Sequence, residues 1–382
     1  MAQQPAPPSD LGRGIQLFRV GGIRIRLDYS WAIIFLLVLW SLAAGYFPAA
    51  VPGRGGGAYW LAGLVATLLL FASILVHELS HALMARRAGI EVPAITLFLF
   101  GGVAQMEEEA ADAGTEFRIA VVGPLTSLAL AAGFWALAGA LPPETGTLTR
   151  TIVGYLAAIN LALAIFNLLP GYPLDGGRIL RAVVWWRTGS LRRATRIAAN
   201  AGQGLALGLI FLGALQIFGG GLVGGLWLIL IGLFLRSMAV AGFQSLVIRR
   251  ALEDVAVEDV MVRDVVTVDR DMPLRTLIDD YFLAYGYHGF PVVSGDHVEG
   301  IVSLGDVRNV PEAERGRARV ANAMQPLDAA HRIEPDTPLL DAMQRMARGN
   351  VDRLLVMRNG TLAGLVTRSA VARLVELRTT LG

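Results

Sequence analysis

His77, Glu78 and His81 bring two imidazoles and a carboxylate within five positions, directly after a run from Tyr59 to Val76 that carries no charged residue. Residues four apart share one helix face, so His77 and His81 can aim their rings at a single metal ion. Glu78, one position along, is close enough to take a proton from water held there. Two histidines four apart with an adjacent Glu form the pattern that binds zinc and supplies a general base for hydrolysis. Ionisable groups at membrane depth are costly and by default mark function. The competing reading is an interfacial cluster in which these residues only meet headgroups and water. A lone His would favour that reading; this spacing in this setting does not.

A catalytic zinc commonly takes three protein ligands and keeps one position open. The chain has no Cys, which leaves His and carboxylates as donors. His288, His297 and His331 lie beyond the apolar half and read as surface or packing residues of a soluble domain. A carboxylate is therefore expected, and the stretch from Asn167 to Arg178, which reads Asn-Leu-Leu-Pro-Gly-Tyr-Pro-Leu-Asp-Gly-Gly-Arg, offers Asp175. Pro170 and Pro173 end the apolar run before it, which puts Asp175 at the depth of the histidine pair. Spacing alone leaves a second role open, in which Asp175 only N-caps the next helix.

These residues need membrane helices to position them. Of the 382 residues, 54% are hydrophobic and 17% charged, which is too apolar for an ordinary soluble protein. A bilayer core takes about 20 apolar residues per helix. Spans are expected at 29–47, 58–84, 119–141, 152–169, 204–218 and 222–243, and the first reads as uncleaved. All 33 basic residues are Arg, and they cluster before span 1, after span 2, between spans 4 and 5, and after span 6. That bias puts both termini in the cytosol, in a multi-pass protein of the cytoplasmic membrane. The net charge of +2 gives no support for nucleic-acid binding. Residues 92–106 are β-favouring and broken by Gly101-Gly102; they read either as a hairpin or re-entrant segment, or as an interfacial loop. An edge strand there could pair with an extended substrate.

The two motifs together, on apolar segments about 94 residues apart, resemble the site-2 protease family of intramembrane zinc metalloproteases. The resemblance covers roughly residues 15–245, and Gly101-Gly102 and the stretch from Gly123 to Ser127 also look like family elements. It implies His77, His81 and Asp175 as Zn2+ ligands, Glu78 as catalytic base, and Asn167 as a neighbour of the reacting carbonyl. Ser127 stands where many relatives show Asn, which weakens any role assigned there. The resemblance further implies a substrate that is a single-span protein of the lipid bilayer, such as an anti-sigma factor or a membrane-tethered transcription factor.

From about residue 258 the composition turns soluble and repeats at an offset near 64. Val260-Met261 aligns with Ala323-Met324, Pro273-Leu274 with Pro338-Leu339, and the stretch from Gly300 to Ser303 with that from Gly364 to Thr367. This pattern resembles a tandem CBS-domain pair, which implies an adenine nucleotide in the cleft between repeats. Ser303, Asp306 and Thr367 are the candidate contacts. Ala370 stands where the second repeat would need its Asp, so one nucleotide site is expected rather than two. The alternative is a packing or homodimer module without ligand.

The expected architecture is thus a polytopic α-helical membrane protein of about six transmembrane helices with a re-entrant β-like segment, plus a cytosolic α/β tandem CBS domain. Its parts are a disordered N-terminus at 1–14, a membrane protease domain at 15–245, a linker at 246–257, and CBS repeats at 258–320 and 321–382. The rival reading, a CBS-gated channel or transporter, would need polar residues spread through several spans. Here they gather at two motifs. A catalytically dead scaffold conflicts with an intact Glu78 and a full set of candidate ligands.

Overall fold

The computed structural model describes residues 14–98, 101–105, 109–295, 297–312, 314–328, 331–349 and 351–381. The expected disordered terminus falls, but for its last residue, outside them. The chain forms two compact units that divide between Ser245 and Leu246.

The first unit contains six helical stretches long and apolar enough to cross a membrane. The first runs from Trp31 to Ala50, as α1 (Trp31–Ser41), a π turn (Leu42–Tyr46) and α2 (Phe47–Ala50). It is followed by α3 (Gly56–Arg87), α4 (Ala113–Ala140) and α5 (Thr147–Asn167). A shorter helix, α6 (Asp175–Thr188), precedes α7 (Leu191–Phe218) and α8 (Leu222–Leu252). Helix α6 is amphipathic and is not among the spans. Gly189 stops it in the left-handed region at φ 66°, and the Ser190 hydroxyl caps α7 by accepting from the Arg193 amide. Helix α7 therefore starts thirteen residues before the expected 204, because its first turns carry arginines that a hydropathy reading assigns to a loop.

A four-stranded sheet, ordered β1-β2-β3-β4, sits at the end of α3. Strands β1 (Gly14–Val20) and β2 (Ile23–Asp28) form an antiparallel hairpin. Strand β2 pairs in parallel with β3 (Ala94–Phe98), which pairs antiparallel with β4 (Gly101–Gln105). The described parts of the 92–106 segment thus pair antiparallel, as a hairpin would, and β4 is an edge of the sheet among the described residues. Ile23, Ile25 and Ile95 pack against Ala82 and Ala85 of α3 and Ile119 of α4. This fully buried cluster locks the sheet to the turn of α3 that follows His81. Arg86 adds a hydrogen bond to the Gly21 carbonyl at the hairpin turn.

In the second unit each repeat builds its own small sheet. The first contains β5 (Val268–Asp269), β6 (Gly289–Ser294), β7 (His297–Ser303) and β8 (Gln325–Pro326). The second contains β9 (Arg332–Ile333), β10 (Arg353–Arg358) and β11 (Thr361–Thr367). In both, a parallel pair joins an antiparallel hairpin. The segment 246–257, expected as a linker, is ordered. Its first part completes α8, and Leu252, Val255 and Val257 are buried in the core of the second repeat with Leu339, Leu354 and Val356. The Leu339 amide bonds to the Val255 carbonyl at 2.8 Å. Conversely Ala323 and Met324, at the start of the second repeat, pack against the core of the first. The apolar side chains leading into each repeat are therefore satisfied by the other one.

Candidate metal centre

Helix α3 carries His77 and His81 one turn apart, both buried, with Glu78 half-buried beside them. Asp175 opens α6. Its Oδ2 lies 3.2 Å from His77 Nε2 and 3.1 Å from His81 Nε2, and the two Nε2 atoms are 3.2 Å apart. A tetrahedral ion with bonds of about 2.0–2.1 Å separates its ligand atoms by about 3.3 Å, so these three atoms outline one face of such a site. Among the described residues this is the group of His and carboxylates that could hold a metal ion.

The rings are also turned correctly. His81 Nδ1 lies 2.6 Å from the Ile119 carbonyl of α4. A carbonyl only accepts, so Nδ1 carries the proton and Nε2 presents its lone pair. His77 Nδ1 lies 2.9 Å from Ser127 Oγ, which is fully buried one helix away. The donor set of two such imidazoles and one carboxylate suits zinc.

Asp175 does not cap its helix. Leu174 holds the N-cap position with no side-chain cap bond, and the Asp175 carboxylate turns to the histidines. The two glycines after it allow the approach: a Cβ at Gly177 would strike the backbone of Gly171 and Tyr172, and one at Gly176 that of Leu168 and Leu169. The preceding loop is fixed in turn by the Tyr172 amide bonding to the Ala198 carbonyl of α7 at 3.0 Å.

Two more glycines make room at the centre. A Cβ at Gly123 of α4 would collide with His81 Nε2 and come within 2.8 Å of His77 Nε2. One at Gly102 of β4 would lie 2.5 Å from Glu78 Cγ, so the edge strand runs directly beside the Glu78 side chain. The structure thus brings His77, Glu78, His81 and Asp175 together with the Gly101-Gly102 element. Asn167 is half-buried at the last position of α5 and makes no side-chain hydrogen bond to those four among the described residues. Sequence reasoning undervalued Ser127 and missed the Ile119 carbonyl, which has no side-chain signal at all.

The candidate nucleotide contacts sit at equivalent places in the two repeats, each where a strand hands over to a helix. Ser303 and Asp306 form a reciprocal capping box, with the Asp306 amide donating to Ser303 Oγ and the Ser303 amide to Asp306 Oδ2. Gln325 donates to Asp306 Oδ1 at 2.6 Å. Thr367 accepts from the Ala370 amide at 3.2 Å.

Six helices long and apolar enough to cross a membrane, and a His-His-Asp group with a carboxylate beside it, are the features of a multi-pass membrane protein with a candidate hydrolytic metal site. Residues 65–146 and 143–211 match the model of peptidase family M50, and residues 257–312 and 327–377 match that of the CBS domain. The chain is 39% identical over 366 residues to the candidate zinc metalloprotease Rip3 of Mycobacterium tuberculosis, covering 95% of this chain and 93% of that one. It is 29% identical over 363 residues to the zinc metalloprotease MJ0392 of Methanocaldococcus jannaschii, with 95% and 96% covered. Among solved structures, the site-2 protease from Methanocaldococcus jannaschii is 31% identical, with 60% of this chain and 94% of that one covered at a TM-score of 0.44. The chain belongs to peptidase family M50, as a zinc-dependent endopeptidase of the site-2 protease type with a CBS pair at its C-terminal side.

Proposed function

We propose that this enzyme cuts a peptide bond in or near the transmembrane segment of a single-span membrane protein, with an anti-sigma factor or a membrane-tethered transcription factor as the kind of substrate. The observation that carries the reading is the convergence of the His77–His81–Asp175 face, Glu78 and the β4 edge at one place among helices long enough to span a bilayer. His77, His81 and Asp175 would hold a zinc ion, which when bound would supply Lewis acidity for hydrolysis. The Glu78 carboxylate takes the water proton and returns it to the leaving amine. Asn167 serves as a neighbour of the reacting carbonyl. The β4 edge offers unpaired backbone groups to an extended substrate by strand addition.

A transmembrane helix hides its peptide groups in internal hydrogen bonds, so the substrate must unwind before cleavage. Reconstituted single-span reporters with Gly or Pro near the scissile bond are expected to be cut faster than an uninterrupted Leu-Ala helix. Equal rates for both would contradict entry by unwinding. The arginine bias supports cytosolic termini. A reporter fused after Gly382 should then work only as a cytosolic reporter and one near Arg54 only as an external one; the opposite pattern would reverse the topology.

The CBS pair acts in this reading as a regulator that takes an adenine nucleotide through Ser303 and Asp306, with Thr367 at the matching place in the second repeat, and it also offers a homodimer surface. A nucleotide shifts activity only through different affinity for two arrangements of the enzyme. Asp306→Ala is expected to weaken nucleotide binding while zinc content stays unchanged, as read by titration of the purified chain. Absence of binding at millimolar nucleotide would remove the sensor role.

A further inference from the structure

Glu116 sits in the first turn of α4, 1% exposed. It accepts from Arg178 through a fork, Nε to Oε1 at 3.0 Å and Nη2 to Oε2 at 3.3 Å, and from Arg181 Nη2 to Oε1 at 2.7 Å. Both arginines lie on α6, whose first residue is Asp175. Arg178 comes three residues after Asp175, and Glu116 three residues before Ile119. One turn of α4 therefore reaches both elements that bear ligand residues: it meets α3 through the Ile119 carbonyl on His81 Nδ1, and α6 through Glu116 on Arg178.

We infer that Glu116 and Arg178, with Arg181, are positioning residues that hold Asp175 and His81 in ligand geometry; this rests on the His77–His81–Asp175 reading of the metal centre. Cohesion alone is a poor explanation for burying three charges there. Apolar residues of similar volume often replace such clusters at no loss of stability, because desolvation offsets the attraction. Among the described residues the cluster also leaves Arg181 Nε buried without a hydrogen-bond partner, which a purely stabilising arrangement would avoid. What a forked Arg–carboxylate pair supplies is direction. The glycines at 176 and 177 set how closely α6 approaches the 168–172 loop. The fork ties the next turn of α6 to α4, and with it the direction in which Asp175 points.

The test uses the full chain purified in detergent, with Zn2+ affinity read by competition against a chromophoric chelator and site geometry read from the absorption bands of bound Co2+. Glu116→Gln removes the anion; Arg178→Lys keeps the charge and removes the fork. Both are expected to weaken Zn2+ binding about 10–100-fold, the usual effect of losing a partner that orients a ligand, and to alter the Co2+ bands. Their double variant should be no weaker than the worse single one. Melting of the metal-free forms reports folding separately, and Arg178→Lys carries the test if Glu116→Gln does not fold. Native Zn2+ affinity and an unchanged Co2+ spectrum in folded Arg178→Lys would overturn the inference, as would a lowered melting point with native affinity. Asp175→Ala serves as the reference. If it too keeps its zinc, the ligand reading itself has failed; if only the clamp variants keep theirs, the positioning role alone has failed.

Discussion

Replacing Glu78 by Gln is expected to slow peptide cleavage by about 10²–10⁴-fold, the range over which a positioned general base contributes, with zinc content unchanged. Gln preserves the shape that packs beside Gly102 and removes the group that accepts a proton. The three candidate ligand atoms belong to other residues, so the metal is expected to stay. Single-turnover cleavage of a reconstituted single-span reporter, with elemental zinc measured on the same preparation, checks both halves. Cleavage within a few-fold of wild type would move the base elsewhere.

Asp175→Asn separates the two roles that spacing left open. Asn starts a helix about as well as Asp, so a helix-starting residue would tolerate the change. A carboxylate that completes a metal face would not, because the amide brings no charge to offset the ion. The expected result is cleavage at background, with the bound metal lost to mild chelator that leaves wild type loaded. The side chain already faces His77 and His81, with no cap bond of its own. Full zinc retention with normal turnover would return Asp175 to a structural role and place the third ligand elsewhere.

Much of this centre was legible because helix geometry is local. Four-residue spacing puts two rings on one face whatever surrounds them, and a chain without Cys leaves few other donors. The family resemblance then joined segments that no local rule connects. What stayed hidden depends on partners distant in sequence. Glu116 reads as a charge at a helix start, and its arginines lie 62 and 65 positions away. Those same arginines read as topology signals, and their place on α6, a helix outside the spans, gave no hint of a partner on α4. The N-terminal hairpin was missed for a related reason: Arg19, Arg24 and Arg26 suggested a basic flank, while Ile23 and Ile25 are fully buried strand residues. In the second unit, alignment of the repeats located both copies. It could not show that Leu252, Val255 and Val257 pack into the second repeat, because that exchange follows from three-dimensional closure of the pair.

Elemental zinc analysis of the purified chain beside His77→Ala, handled identically, tests the central claim most directly. One zinc per wild-type chain and none in the variant are expected, with cleavage following the metal. A fully active wild-type chain without zinc, or a His77→Ala chain holding as much zinc as wild type, would contradict it.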